Sequence, residues 1–187
     1  KRVYCGIDYS MTSPAVCTHR GSEWSFGNCN FFFISQRKKP CIIHKQFHEY
    51  KLLESTNNEA RFHNLAQWCL GVISPHKSAL IALEGYSYAS KGVVFHIGEN
   101  TGVLKNYLWK NNPNLELCVI SPPTIKKFAV GKGNADKLLM HDAFIKDTEF
   151  DIAKLSGILP GKSPIADIVD SYFICKYLFY KNNKLLV

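Results

Sequence analysis

Four acidic residues stand where a folded protein normally has apolar ones. Asp8 ends a strand-like apolar run, and Glu84 ends the apolar run of residues 79–83. Asp167 and Asp170 lie in an otherwise apolar segment, and their spacing of three residues puts both on one face of a helix. Because acidic side chains usually stay in solvent, these four residues are the most informative of the chain.

Carboxylates that meet at the ends of buried strands repel one another unless a cation neutralises them. Oxygen ligands of this kind suit Mg²⁺ or Mn²⁺. Two such ions about 4 Å apart activate a water and stabilise the leaving oxygen of a phosphodiester. Taken singly, each acid could instead be a surface acid at a strand end or, for Asp167, a charge favoured by a helix dipole. The four together favour metal binding.

A basic cluster lies between the second and the third acid. It comprises four lysines within twelve residues and two glycines among them: Lys126, Lys127, Lys132 and Lys137, with Gly131 and Gly133. Glycine lets the backbone approach a ligand closely, and ammonium groups and helix N-terminal amides bind phosphates. The alternative is an ordinary solvated face. Beside four carboxylates, phosphate binding is the favoured interpretation.

Two other segments could contact nucleic acid. Arg37, Lys38 and Lys39 are consecutive, and a solvated hairpin turn explains them as well as a contact with a DNA arm does. Tyr86 and Tyr88 follow the second acid in a polar stretch, where stacking on bases would be worth about 1–3 kcal/mol per base. Tyrosines that cap the core fit that stretch equally well.

The elements that must position these residues are strands followed by alternating helices and strands. Four strands with turn residues between them form a predicted meander, at residues 3–9, 15–19, 30–35 and 41–47. Two further strands and five helical segments are predicted at residues 79–84 and 115–121, and at 58–72, 93–110, 122–128, 135–146 and 164–180. Asn57 or Asn58 is expected to cap the first helix and Asn134 the fourth. The strand, helix, strand order of residues 79–121 predicts a parallel pairing.

The composition is that of a packed globular chain. Its 187 residues are 46% hydrophobic, 20% charged and 13% aromatic, which excludes a disordered chain and predicts one domain over residues 1–187. The net charge of +8 favours a polyanionic partner without choosing among nucleic acid, membrane surface and acidic protein. Apolar stretches fall short of the roughly 20 residues that cross a bilayer, so no membrane span or signal peptide is expected.

The cysteines indicate the redox environment. None of the seven forms a Cys-x-x-Cys pair, which favours reduced thiols in an intracellular compartment, without distinguishing cytoplasm, organelle matrix and nucleoid. Cys5, Cys17, Cys29 and Cys41 recur every twelve residues and are expected to be buried in successive strands.

The segments around the acids and the lysines resemble a known family. They are, in chain order, Gly6-Ile7-Asp8, Ile81-Ala82-Leu83-Glu84, residues 125–137 and Ala166-Asp167-Ile168-Val169-Asp170-Ser171. Together they resemble the RuvC-type Holliday-junction resolvases of the ribonuclease H-like superfamily. The resemblance implies an α/β fold with a mixed sheet, its first three strands antiparallel and its later strands parallel, flanked by helices.

The resemblance also implies roles for individual residues. The positions that match the family's catalytic metal ligands are Asp8, Glu84, Asp167 and Asp170. Lys126 and Lys137 match its basic positions beside the scissile phosphate. The implied activity is endonucleolytic cleavage of branched DNA, above all four-way junctions, with two Mg²⁺ or Mn²⁺ ions per site, in DNA recombination and repair. A twofold homodimer would match the symmetry of a junction.

The chain departs from the family pattern at two points. Residues 9–13 replace the usual Pro-Gly turn, as a divergent, for example viral, branch would. The family's aromatic residue three positions after the Glu is Ser87 here, and either neighbour, Tyr86 or Tyr88, could take its place.

Two other functions are compatible with the sequence. A relative of the same fold could cut RNA in hybrids or flapped DNA, and a non-catalytic module could bind DNA if the four acids do not converge. An actin-like kinase also begins with a strand and an Asp, but it needs two such domains, more than 187 residues can hold.

Overall fold

A mixed β-sheet of six strands organises the part of the chain that the computed structural model describes, residues 2–76, 79–85 and 94–186. In chain order the strands are β1 Val3–Asp8, β2 Ala15–Arg20, β3 Cys29–Ser35, β4 Phe47–Lys51, β5 Leu80–Glu84 and β6 Leu117–Ile120. They lie side by side in the order β4-β3-β2-β1-β5-β6. β2 pairs antiparallel with β1 and with β3, whereas the β3–β4, β1–β5 and β5–β6 pairs are parallel. The predicted fold class is therefore confirmed.

Helices cover both faces of this sheet. They are α1 Asn58–Ile73, α2 Val94–Asn111, α3 Pro122–Val130, α4 Lys137–Thr148, α5 Ile152–Ser156 and α6 Ile165–Asn182. Side chains alternate along a strand, so Cys5 and Ile7 of β1 pack with α1 and α2, while Tyr4 packs with α6. On its face α6 crosses β1, β2 and β5, which puts one helix over the centre of the sheet.

The contact between α6 and β1 depends on a glycine. A methyl group added at Gly6 would lie 2.2 Å from the backbone nitrogen of Cys175 and 2.5 Å from the carbonyl oxygen of Ser171. Any side chain at Gly6 would therefore push the helix off the strand. α6 runs from the carboxyl end of β1 toward its amino end, where Asn182 Nδ2 donates to Tyr4 Oη at 3.0 Å.

The prediction of the fourth strand is wrong. Residues 41–46 form a loop before β4, which begins only at Phe47 and runs parallel to β3 instead of continuing a meander. The buried side chain of Ile42 gives this segment its strand-like pattern. The side-chain amide of Gln46 donates to two backbone carbonyl oxygens at 2.8 and 2.9 Å, and its own backbone carbonyl oxygen accepts from the backbone nitrogen of Phe31 at 2.7 Å, so Gln46 holds the end of the loop.

The predicted cap of the fourth helix is also wrong. Asp136, and not Asn134, caps α4: its carboxylate accepts hydrogen bonds from the backbone nitrogens of Leu138 and Leu139 at 3.0 and 2.9 Å. The cap of α1 is Asn57, one of the two predicted residues, which accepts from the backbone nitrogen of Ala60 at 2.9 Å. The other predicted elements are confirmed with shifted ends, except that residue 93 lies outside the described residues, and α5 was not predicted.

The cysteines follow the prediction with one exception. All seven have free thiols, and Cys5, Cys17 and Cys29 are buried in three successive strands. Cys41 is half-buried in the loop before β4, so its predicted place in a strand is wrong. No helix within the described ranges is long and apolar enough to cross a membrane.

Candidate active site

Two of the four acids lie on adjacent strands at the same edge of the sheet. β1 and β5 are parallel neighbours, and Ile7 stands opposite Leu83. The next residue on each strand is an acid, Asp8 on β1 and Glu84 on β5, so both stand at the carboxyl ends of strands about 4.8 Å apart. We call this side of the sheet the acid edge.

α6 brings the other two acids to the acid edge. Its backbone touches β1 at Gly6 through Ser171 and Cys175, and Asp167 lies one turn before Ser171, toward the carboxyl end of the strand. Asp170 directly precedes Ser171. Asp167 is only 8% exposed, although it is an acidic residue in the first turn of the helix.

The pKa values show that the four carboxyl groups interact. Burial raises the pKa of Asp8 well above its usual range, and the charges of Asp167, Glu84 and Asp170 raise it further. Burial is also the main reason that the pKa values of Glu84 and Asp170 rise to about 7 and that the pKa of Asp167 is raised. The four carboxyl groups therefore lie within electrostatic range of one another.

Two of the predicted lysines act on these acids. Lys126 is half-buried on α3, and Lys137 is the exposed first residue of α4. Against the larger effect of burial, the charges of both lysines lower the pKa values of Glu84 and Asp170. Positive charge therefore faces the acid edge from two helices.

The other predicted DNA-binding residues are exposed or lie outside the described residues. Lys127 is exposed on α3, and Lys132 is exposed in the loop that follows Gly131. Gly131 ends α3 with a left-handed backbone, φ 85°, which glycine adopts without strain. Tyr86 and Tyr88 lie outside the described residues, and their prediction stays untested.

A residue that the sequence did not reveal holds one of the acids. Ser13, which is buried in the turn between β1 and β2, donates its hydroxyl to Asp167 Oδ2 at 2.9 Å. Its own backbone nitrogen donates to Ser10 Oγ at 3.0 Å, which orders the turn. A side-chain hydrogen bond from Ser163, just before α6, also acts on Asp167. The only signal in the sequence is a serine-containing turn directly after Asp8.

The donor chemistry of this site fits a hard divalent cation. The four carboxyl groups are poorly solvated and repel one another. A bound Mg²⁺ or Mn²⁺ would relieve this repulsion. In the described part of the chain, no group of three or more His, Cys, Asp or Glu side chains is arranged in metal-binding geometry. The fold thus brings the four acids near one another, but no three of them surround a common position at metal-binding distance.

Comparison with known proteins supports the fold. No profile of a known protein family matches the chain, and no curated protein sequence does. Among solved structures, RuvC of Thermus thermophilus is 16% identical and matches 98% of this chain and 97% of its own with a TM-score of 0.62. The yeast mitochondrial Holliday junction resolvase is 13% identical, with 97% and 79% covered and a TM-score of 0.61. The fowlpox virus resolvase, solved with Holliday junction DNA, is 14% identical, with 96% and 98% covered and a TM-score of 0.52.

Proposed function

We propose that this protein is a metal-dependent endonuclease that cleaves branched DNA and resolves four-way junctions. The observation that carries this proposal is the convergence of four interacting carboxyl groups at one sheet edge. The fold, which is that of known resolvases, adds support. The basic charge of the chain is consistent with a nucleic-acid substrate.

The proposed roles follow from the placement of the side chains. Asp8, Glu84, Asp167 and Asp170 would together hold Mg²⁺ or Mn²⁺, two ions per site. When bound, such ions would activate the attacking water and stabilise the leaving oxygen. Lys126 and Lys137 would bind the oxygens of the scissile phosphate, since their charges already act on the acids.

The remaining contacts of the proposed complex lie around this centre. Lys127 and Lys132 would bind neighbouring phosphates, and Tyr86 and Tyr88 would stack on bases unpaired at the crossover. Two copies of the chain, each with residues 1–187 as one nuclease domain, would act on the two equivalent strands of a junction. Seven free thiols support a reducing intracellular compartment.

Cleavage of matched substrates tests the proposal. A four-way junction, a flapped duplex and an RNA–DNA hybrid of the same sequence are incubated with the protein and Mg²⁺ or Mn²⁺. We expect symmetric cuts in the junction, at a higher rate than in the flap or the hybrid. Preferred cleavage of the hybrid or flap would assign the site to the alternative nuclease activity, and cleavage of no substrate would refute the proposal.

A further inference from the structure

The loop between β3 and β4 projects from the acid edge. Asp8 pairs with Ala15 across β1 and β2, and Ala15 pairs with Phe33 across β2 and β3. Ser35, the last residue of β3, therefore lies two residues beyond the level of Asp8. The basic loop that follows, Arg37, Lys38 and Lys39, leaves the sheet on the same side as the four acids.

This loop is anchored by its backbone. The backbone nitrogen of Arg37 donates to Ser35 Oγ at 3.1 Å, and Lys51 Nζ donates to the carbonyl oxygen of Arg37. At the far end of the loop, the backbone nitrogen of Cys41 donates to Glu49 Oε2 at 2.7 Å. The backbone is thus held at both ends by residues of the two flanking strands.

The three cationic side chains of the loop keep their charge available. All three are exposed, and none of them forms an ion pair with an acid in the part of the chain that the structure describes. The nearby carboxylate of Glu49, whose side chain is 6% exposed, pairs with Lys51 at 3.2 Å. A cleft of about 390 Å³ lies against the loop, lined by Arg37, Lys38, Lys39, Pro40, Cys41 and Ser156.

The distance from this loop to the acids matches a short piece of duplex. β3 and β4 are two and three strands away from β1, which corresponds to about 10–14 Å at about 4.8 Å per strand. Successive phosphates of one DNA strand advance about 3.4 Å along the helix axis, so this distance spans three to four base pairs. A duplex arm with a phosphate at the acids can therefore pass over the loop.

We propose that Arg37, Lys38 and Lys39 bind the phosphate backbone of the duplex arm, three to four base pairs from the scissile phosphate. The inference rests on the proposed function, because it takes its partner from the substrate of the acid edge. An anchored loop with unpaired cations suits a repeating anion such as the DNA backbone, which needs charge at a set position and no base-specific contact.

The test compares two variants that lose the same charge. Arg37→Gln/Lys38→Gln/Lys39→Gln removes the loop cations and keeps the backbone anchors. The control, Lys110→Gln/Lys181→Gln/Lys184→Gln, removes three exposed lysines near the opposite edge, at the ends of α2 and α6. Binding to a four-way junction is measured against salt concentration without divalent metal, together with hydroxyl-radical footprints of the arms.

The loop variant should lower the slope of log K against log salt by about 2 to 3, since each lost phosphate contact removes about 0.9. Its footprint should lose protection three to four base pairs from the cut position and keep protection at the crossover, whereas the control should change neither. If the triple variant does not fold, the single exposed Lys38→Glu should give the same local loss.

Retained protection in a folded loop variant would overturn the inference, and so would an equal fall in slope for the control. Binding of the loop variant to an RNA duplex is measured in the same way. If the loop variant loses affinity for the RNA duplex and not for the DNA junction, the assignment to a DNA arm is wrong. Failure of the wild type to cut any junction would refute the proposed function instead, because the footprint is read without metal and does not depend on cleavage.

Discussion

The two edges of the central sheet differ in how well their polar groups are solvated or hydrogen-bonded. At the acid edge, four carboxyl groups are crowded and poorly solvated, and burial raises the pKa values of Glu84 and Asp170 to about 7. At the opposite edge, the hydroxyl oxygen of Tyr4 accepts hydrogen bonds from Asn182 and Asn183 at 3.0 and 3.1 Å. The acid edge is costly to fold, whereas the Tyr4 hydroxyl at the opposite edge has its hydrogen-bond partners. This difference is what a binding site for a cation requires, and it separates residues for activity from residues for stability.

The largest expected effect is the loss of cleavage on removing one acid. Glu84→Gln should lower the rate of junction cleavage at least about 1000-fold, because a metal supplies several kcal/mol of transition-state stabilisation and each 1.36 kcal/mol is tenfold. Junction binding should persist, because the substitution also removes repulsion with phosphates. The matched control is Glu116→Gln, an exposed acid next to the amino end of β6, which should cut normally. Equal loss of binding and cleavage in Glu84→Gln would contradict the assigned role.

The second prediction concerns the serine that holds Asp167. Ser13→Ala removes the donor at 2.9 Å and should weaken Mn²⁺ affinity about 10–100-fold, the usual effect of losing a group that orients a metal ligand. Ser13→Thr keeps the hydroxyl and should restore much of the affinity. The measurement is a calorimetric Mn²⁺ titration without DNA. A change in unfolding midpoint with unchanged Mn²⁺ affinity would make Ser13 a structural residue only.

At the opposite edge, the expected effect is on stability alone. Tyr4→Phe leaves the ring in place and removes the acceptor of two hydrogen bonds, so the free energy of unfolding should fall by about 1–2 kcal/mol. Urea denaturation measures this change, and the cleavage rate of the folded variant should equal that of the wild type. A cleavage defect in folded Tyr4→Phe would break the separation between the two edges.

Each of the two lysines at the acid edge should contribute one phosphate contact to DNA binding. Lys126→Ala and Lys137→Ala should each lower the slope of log K against log salt by about 0.9, the value for one phosphate contact. Lys181→Ala, at the end of α6, is the control and should leave the slope unchanged. An unaltered slope in both site variants would return these lysines to an ordinary solvated face.

The pH dependence of stability gives a smaller signal with a definite sign. The folded pKa of Asp170, about 7, exceeds the unfolded value of about 4, so the folded chain holds more protons between these limits. Its contribution to the free energy of unfolding is therefore highest near pH 4 and falls as the pH rises to 7. Burial lowers the pKa of His19 to about 4, and its contribution rises over the same range.

Subtracting the free energy of unfolding of the wild type from that of a variant at position 170 cancels the contribution of His19, which both proteins share. The Asp170→Asn variant keeps His19, but its asparagine side chain cannot ionise. In metal-free buffer the variant should therefore have a higher free energy of unfolding than the wild type at pH 8, and this difference should be smaller at pH 5. Urea denaturation at the two pH values provides the comparison. The same gain at both pH values would mean that the carboxyl group of Asp170 titrates normally.

The sequence predicted the acid edge better than the contacts that build it. Asp8 and Glu84 stood out because acids end apolar strands, and local patterns carry that information. The close approach of α6 at Gly6 is a contact between backbones far apart in sequence, and no local pattern reveals it. Ser13 was missed for the same reason, since its partner Asp167 is 154 residues away.

The errors in the fold have a related cause. Residues 41–47 contain apolar residues typical of a strand, but only Ile42 and Phe47 of these are buried, while Ile43 is exposed. The side chain of Gln46 bonds backbone carbonyl oxygens instead of pointing to solvent. Asp136 and Asn134 are both good capping residues, and local preference alone could not choose between them.

The central claim is that the acid edge is a cation site, and a metal titration of the full chain tests it most directly. Wild-type protein at pH 8 should bind two Mn²⁺ ions, and its unfolding midpoint should rise with Mn²⁺ concentration, because a ligand that binds only the folded state stabilises it. Asp170→Asn should begin at a higher metal-free midpoint and gain much less from Mn²⁺. A wild type that neither binds Mn²⁺ nor gains stability from it, or an Asp170→Asn variant that gains as much as the wild type, would contradict the account.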